Sequence, residues 1–148
     1  MNIFISFDAE ADMGYIALTE NRAGSAAATD DIGNTALAAD FDRHQRMIGV
    51  EFPGKAAPEI ARLGTLTGRK HKLEPAFLNG ARVHRFRPTS QEAVKTLCVN
   101  GVQFYFADHD GQRFIGFDVF DRTEKANEIG SHSLNSRVCK HIVIIGAC

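Results

Sequence analysis

One eight-residue segment of this chain occurs twice. Gln45-Arg46-Met47-Ile48-Gly49-Val50-Glu51-Phe52 returns 67 residues later as Gln112-Arg113-Phe114-Ile115-Gly116-Phe117-Asp118-Val119, with four of eight positions identical and Glu51/Asp118 keeping their charge. Upstream, Gly33, Asp40 and Asp42 match Gly101, Asp108 and Asp110 at a spacing of 68. The one-residue difference falls in an expected turn, where length changes are tolerated. Downstream, Ala57-Pro58-Glu59-Ile60 resembles Ala126-Asn127-Glu128-Ile129. A repeat constrains the fold strongly, because each copy must build the same unit and bury its apolar face.

Each copy reads as a strand, an Asp-rich turn, a second strand and a short helical or irregular segment. Ile48, Val50 and Phe52 alternate with Gly49 and Glu51, which places the first set inward and the second outward. Val102, Phe104 and Phe106 lead into Asp108-His109-Asp110-Gly111, where Asp-Gly favours a hairpin turn. Ile3, Ile5 and Phe7 alternate in the same way, and Tyr15–Leu18 reads as the returning strand. Residues 21–31 suit a loop or an edge strand, and 64–75 a basic linker. Thr89 and Glu92 form a capping box ahead of residues 90–97.

The expected fold class is α+β, a mainly antiparallel β-sheet made from two duplicated β-hairpin units with short helices near 56–63, 90–97 and 122–129. The expected organisation is one domain over 1–148, with repeat units at about 1–63 and 80–130 and a C-terminal strand at 138–146. Ile48, Val50, Phe104, Phe106, Phe117 and Ile144 are the candidate core.

Phe7-Asp8-Ala9-Glu10-Ala11-Asp12-Met13-Gly14-Tyr15-Ile16, followed by Asp40-Phe41-Asp42 and Ile48-Gly49-Val50-Glu51-Phe52, resembles an uncharacterised bacterial family of short domains of unknown function. The likeness covers the N-terminal third, and the second copy keeps only the C-terminal half of the pattern. Arg43-His44-Gln45 stands where that family usually has a glycine. The resemblance implies a small β-rich fold and no established activity, since a fold does not carry a function with it.

With 148 residues, 44% of them hydrophobic and 24% charged, the chain can bury a core without a structural metal or a disulfide framework. Cys98, Cys139 and Cys148 form no C-x-x-C pair. Cys98 and Cys139 sit in apolar runs and read as small core residues, whereas Cys148 reads as an exposed thiol. The first residues lack a basic start and a long apolar region, and Ile142–Ile145 is too short to span a bilayer. The expected location is the cytoplasm, with no membrane association.

Charge is distributed unevenly. Residues 1–61 hold ten acidic and four basic side chains, and residues 62–95 hold two acidic and eight basic ones. Such blocks either pair internally or mark a partner surface.

No residue pattern points to catalysis. Asp8, Glu10 and Asp12 alternate closely enough to gather around a cation, but they equally suit a hairpin connection, and no EF-hand spacing follows. The Asp40/Asp42 and Asp108/Asp110 pairs suit turns for the same reason. The six histidines (44, 71, 84, 109, 132 and 141) form no H-E-x-x-H or H-x-H motif. Cys139 and His141 share a face of the expected last strand and read as a buried Cys beside a satisfied His. Arg69-Lys70-His71-Lys72 with Arg82, Arg85 and Arg87 could meet phosphates, but no exposed aromatic ladder and no phosphate-cradling loop accompany them.

The leading expectation is a non-enzymatic binding protein of the immunity or antitoxin kind, without a cofactor or metal. It would meet a basic protein partner through Asp8, Glu10, Asp12, Asp30, Asp31 and Glu51. The competing expectations are an enzyme or small-molecule binder with a cleft between the copies, and a nucleic-acid binder using residues 69–87.

Overall fold

Alternating apolar residues build the first of two six-stranded sheets, each antiparallel throughout. The computed structural model describes residues 1–20, 25–64, 66–121 and the backbone of 144–145. The chain divides into two compact units, Met1–Lys72 with Asp110–Arg113 and Leu73–His109 with Phe114–Cys148. Among the described residues no helix is long and apolar enough to cross a membrane.

In the first unit, β1 (Asn2–Asp8) and β2 (Met13–Ala17) form a hairpin, and β3 (Ala28–Asp31), β4 (Ala38–Phe41) and β5 (Met47–Pro53) form a meander. β5 pairs with β2, and β6 (Lys70–Lys72) closes the other side against β1, giving the order β3-β4-β5-β2-β1-β6. One face carries Ile3, Ile5, Ile16, Val50 and Phe52, each at most 1% exposed. A 3-10 turn over Gly54–Ala56 leads into a short helix, α1 (Ala57–Ala61), which lies against β1, β2 and β5. The helix is seated deeply because β2 has a glycine beneath it: a Cβ on Gly14 would come within 2.6 Å of Ile60 Cγ1.

In the second unit, β7 (Glu74–Leu78) and β8 (Ala81–Phe86) form a hairpin, and β9 (Lys95–Val99), β10 (Val102–Phe106) and β11 (Phe114–Phe120) form a meander. Its order is β12-β9-β10-β11-β8-β7, where β12 is Ile144–Ile145. Two Asn-Gly pairs close two of its hairpins. Asn79-Gly80 (φ 50° and 80°) joins β7 to β8, and Asn100-Gly101 (46° and 82°) joins β9 to β10. Positive φ at both central residues matches the right-handed twist of the flanking strands. β10 and β11 are buried along their whole length, and Phe86, Phe104, Phe106, Phe114 and Phe117 pack ring against ring with centroids 5.4–6.5 Å apart.

The mainly antiparallel reading holds, as does the short helix near 56–63, and Ile48, Val50, Phe104, Phe106 and Phe117 are core residues. The side chain of Ile144, the helix expected at 122–129, and Cys139, His141 and Cys148 lie outside the described residues. The helix expected at 90–97 is not formed. Thr89 Oγ1 accepts the N–H of Gln91 at 3.2 Å in a local turn, and the chain then enters β9. Pairing with β10 on one side and β12 on the other outweighs the local capping signal there. The segment expected as a linker contains β6 and the start of β7. Cys98 is buried but disulfide-bonded, not a free core thiol, and its partner lies outside the described residues. Sequence position cannot separate these two states, because a half-cystine's partner is chosen by the fold.

The ladder also corrects the upstream match. Asp40 pairs with Gly49 just before a bulge, and Tyr105, not Asp108, pairs with Gly116 just before a bulge.

Candidate functional site

The face of the first sheet opposite α1 is polar. Residues paired across a ladder share a face, so two rows can be read off the register. Asp31, Ala38, Glu51, Tyr15 and Ser6 form one; Thr29, Asp40, Gly49, Ala17, Phe4 and Lys70 form the other. Between the rows, Gly49 leaves room for the Tyr15 side chain, since a Cβ there would overlap the Tyr15 hydroxyl. Tyr15 Oη donates to Asp40 Oδ2 at 3.0 Å, and Thr29 Oγ1 donates to Asp40 Oδ1 at 2.5 Å. Asp40 is thereby held at 8% exposure between two hydroxyls. Burial, and then the neighbouring Asp40 charge, push the half-buried Glu51 carboxyl above its ordinary range.

Of the six carboxylates expected to bind a partner, two lie together on this face: Glu51 at its centre and Asp31 at its margin. Asp30 points to the opposite face, because successive strand residues alternate. Asp8, Glu10 and Asp12 lie at the β1–β2 turn, all exposed. Asp8 Oδ1 accepts the N–H groups of Glu10 (2.9 Å) and Ala11 (3.1 Å), the local role that an Asp takes in a turn. Asp12 adopts φ 51°, which Asp tolerates better than most residues. None of these six, nor Asp40, has a cation within 4.0 Å among the described residues. The expected alternative, internal pairing between the acidic and basic blocks, is met over long range by the exposed Lys70–Glu20 pair.

The second unit holds a network that sequence reasoning missed. Asp118, fully buried on β11, receives Arg85 Nε and Nη2 at 2.8 Å each, and Tyr105 Oη at 2.6 Å. Gln103 Nε2 donates to Tyr105 Oη at 3.2 Å, and the Arg87 guanidinium stacks over the Tyr105 ring at 4.8 Å. Burial, and then the hydrogen bond to Asp118, raise the Tyr105 hydroxyl well above the usual phenol range. A tyrosine held so firmly protonated is a poor base, and the ion pair is saturated by its own partners. These residues hold β8, β10 and β11 together. Part of the signal was present in the repeat: an acid in an apolar run needs a cation, although the sequence does not say which one.

This network also engages two arginines of the basic segment, whereas Arg69, Lys70, Lys72 and Arg82 stay exposed. Arg85 and Arg87 are committed within the second unit, Lys70 belongs to the first, and His71 Nε2 lies 2.6 Å from the Leu66 carbonyl oxygen. Among the described residues no group of three or more His, Cys, Asp or Glu side chains is placed to hold a metal ion. No family profile, curated protein or solved structure matches this chain.

Proposed function

We propose that this chain is a non-enzymatic binding protein, and that the polar face of its first sheet receives a basic protein partner, as an inhibitor of the immunity or antitoxin kind would. The observation that carries this reading is the difference between two ladder positions. On the second sheet, Asp118 on β11 faces Arg85 on β8 and is neutralised by it. On the first, Glu51 on β5 faces Tyr15 on β2, with Asp40 close by and no cation within 4.0 Å among the described residues. A guanidinium or ammonium from a partner would supply the missing charge in a half-buried setting where it counts for more than in open water. Tyr15 and Phe4, the latter 40% exposed on the same face, add the aromatic surface typical of interface centres. The shared strand plan of the two units supports a tandem duplication, in which one copy keeps its internal cation and the other leaves the acid open.

The test is comparative affinity purification from the native host with wild type and a Glu51→Lys/Asp31→Lys variant. A basic protein recovered by wild type and lost with the variant is expected. Titration with the purified partner should then show slowed association and a reduced salt dependence in the variant. Recovery of the same proteins by both forms would refute the reading.

A further inference from the structure

The first sheet ends in two short strands of opposite charge. Among the described residues β3 has β4 as its one neighbour, all four of its residues are exposed, and it carries Asp30 and Asp31. β6 has β1 as its one neighbour among the described residues, with Lys70 and Lys72 exposed and Arg69 exposed just before it. The outward N–H and C=O groups of an edge strand are a template for another strand, and edge charges decide what is admitted. Two β3 edges brought together would oppose Asp30 and Asp31 to their own copies, and two β6 edges would oppose lysine to lysine. β3 against β6 of another molecule is the combination that sets acid beside base.

Direction and face agree with that combination. Each neighbouring pair in the sheet is antiparallel and the sheet has six strands, so β3 and β6 run in opposite directions. A second molecule added at the edge therefore continues an antiparallel ladder. Thr29 and Asp31 share the polar face with Lys70 and Lys72, whereas Asp30 and His71 share the other. Pairing Asp31 with Lys70, Asp30 with His71 and Thr29 with Lys72 preserves both faces. A slip of one residue would mismatch them.

We infer that this protein associates head to tail with further copies of itself, β6 of one molecule adding as a strand to the β3 edge of the next. The contact is heterologous, so each molecule offers one acidic and one basic edge and association does not stop at a dimer. The Lys70–Glu20 pair, with side chains 63% and 89% exposed, yields readily to the new contact. A ladder this short gives weak association that grows with concentration and falls with salt. It uses the sheet edges and shares only Asp31 with the Glu51-centred face, so Glu51→Gln separates the two.

Sedimentation velocity on the full chain at low salt, from low-micromolar to near-millimolar concentration, tests the inference. Wild type and Glu51→Gln should both associate. D30K/D31K and K70D/K72D should each weaken association by about tenfold or more, equivalent to roughly 1.4 kcal/mol. An equimolar mixture of the two should associate again, because each then offers the charge that the other lacks. A wild type that stays monomeric throughout overturns the proposal. So does a mixture no more associated than its components when both melt as wild type does. Should either double variant melt early, the single pair Asp31→Lys and Lys70→Asp repeats the mixing test under the same criteria.

Discussion

Glu51 and Asp118 began as equivalent letters in a repeat and have become opposite kinds of residue. Asp118 is buried and bound by a guanidinium fork, so removing Arg85 leaves a charge with no cation. Arg85→Gln should destabilise the protein by about 3 kcal/mol, near the low end for breaking a buried pair because Arg85 is itself one-third exposed. Chemical denaturation checks this, and a loss under about 0.5 kcal/mol would mean that Asp118 finds another partner. Glu51 behaves the other way. Its folded pKa lies above the unfolded value of 4.5, so the folded chain holds the extra proton, and stability declines as pH rises from 4.5 through the folded value. Glu51→Gln, neutral at every pH, should therefore melt higher than wild type at pH 7 and alike below pH 4.5. Equal melting at both would show that Glu51 feels neither burial nor Asp40. The acid in the repeat was legible from sequence. Its cation was not, because a cross-strand partner depends on strand order, and the repeat does not state which strand lies beside it.

At the level of elements, the sequence signals that succeeded were periodic and those that failed were local. Alternation found β1, β2, β5, β10 and β11, since a buried face forces period two on the residues that line it. The capping box at Thr89 misled because four residues of local preference compete with a strand that pairs on both sides. Asn79-Gly80 and Asn100-Gly101 were available as hairpin signals, and reading them would have placed β7 to β10 correctly. Close contact between elements was invisible for a different reason: Gly14 looks like any strand glycine until α1 is laid over it. Gly14→Ala should cost about 1–3 kcal/mol through overpacking against Ile60. Much of that loss should return in Gly14→Ala/Ile60→Ala, beyond what the two single changes predict by addition. Strict additivity in thermal or urea unfolding would place α1 elsewhere.

Over the whole chain, the acidic first block and the basic second block look in sequence like two halves of an internal pairing. Folding sends two of the second block's eight basic side chains into the network around Asp118 and two, Arg62 and Lys70, to acids of the first block. Arg85 goes to Asp118, Arg87 to Tyr105, and Arg62 to Glu59 three residues back. The acidic block keeps its β1–β2 turn carboxylates and its β3 and β5 carboxylates without ion pairs among the described residues. Charge reversal there consequently removes no salt bridge. Glu10→Lys and Asp31→Lys should each leave unfolding stability within about 0.5 kcal/mol of wild type, as for surface changes away from specific contacts. Asp31→Lys should move upward if at all, since it places a cation on the face that carries Glu51 and Asp40. Both variants should lower the affinity for a basic partner while the fold is intact, with Asp31→Lys the stronger of the two because Glu10 lies out on the β1–β2 turn. Thermal melting and partner titration on the same two proteins separate the possibilities. A drop in melting temperature with unchanged affinity would mean that these carboxylates serve the fold, and would remove the acidic face as a binding surface.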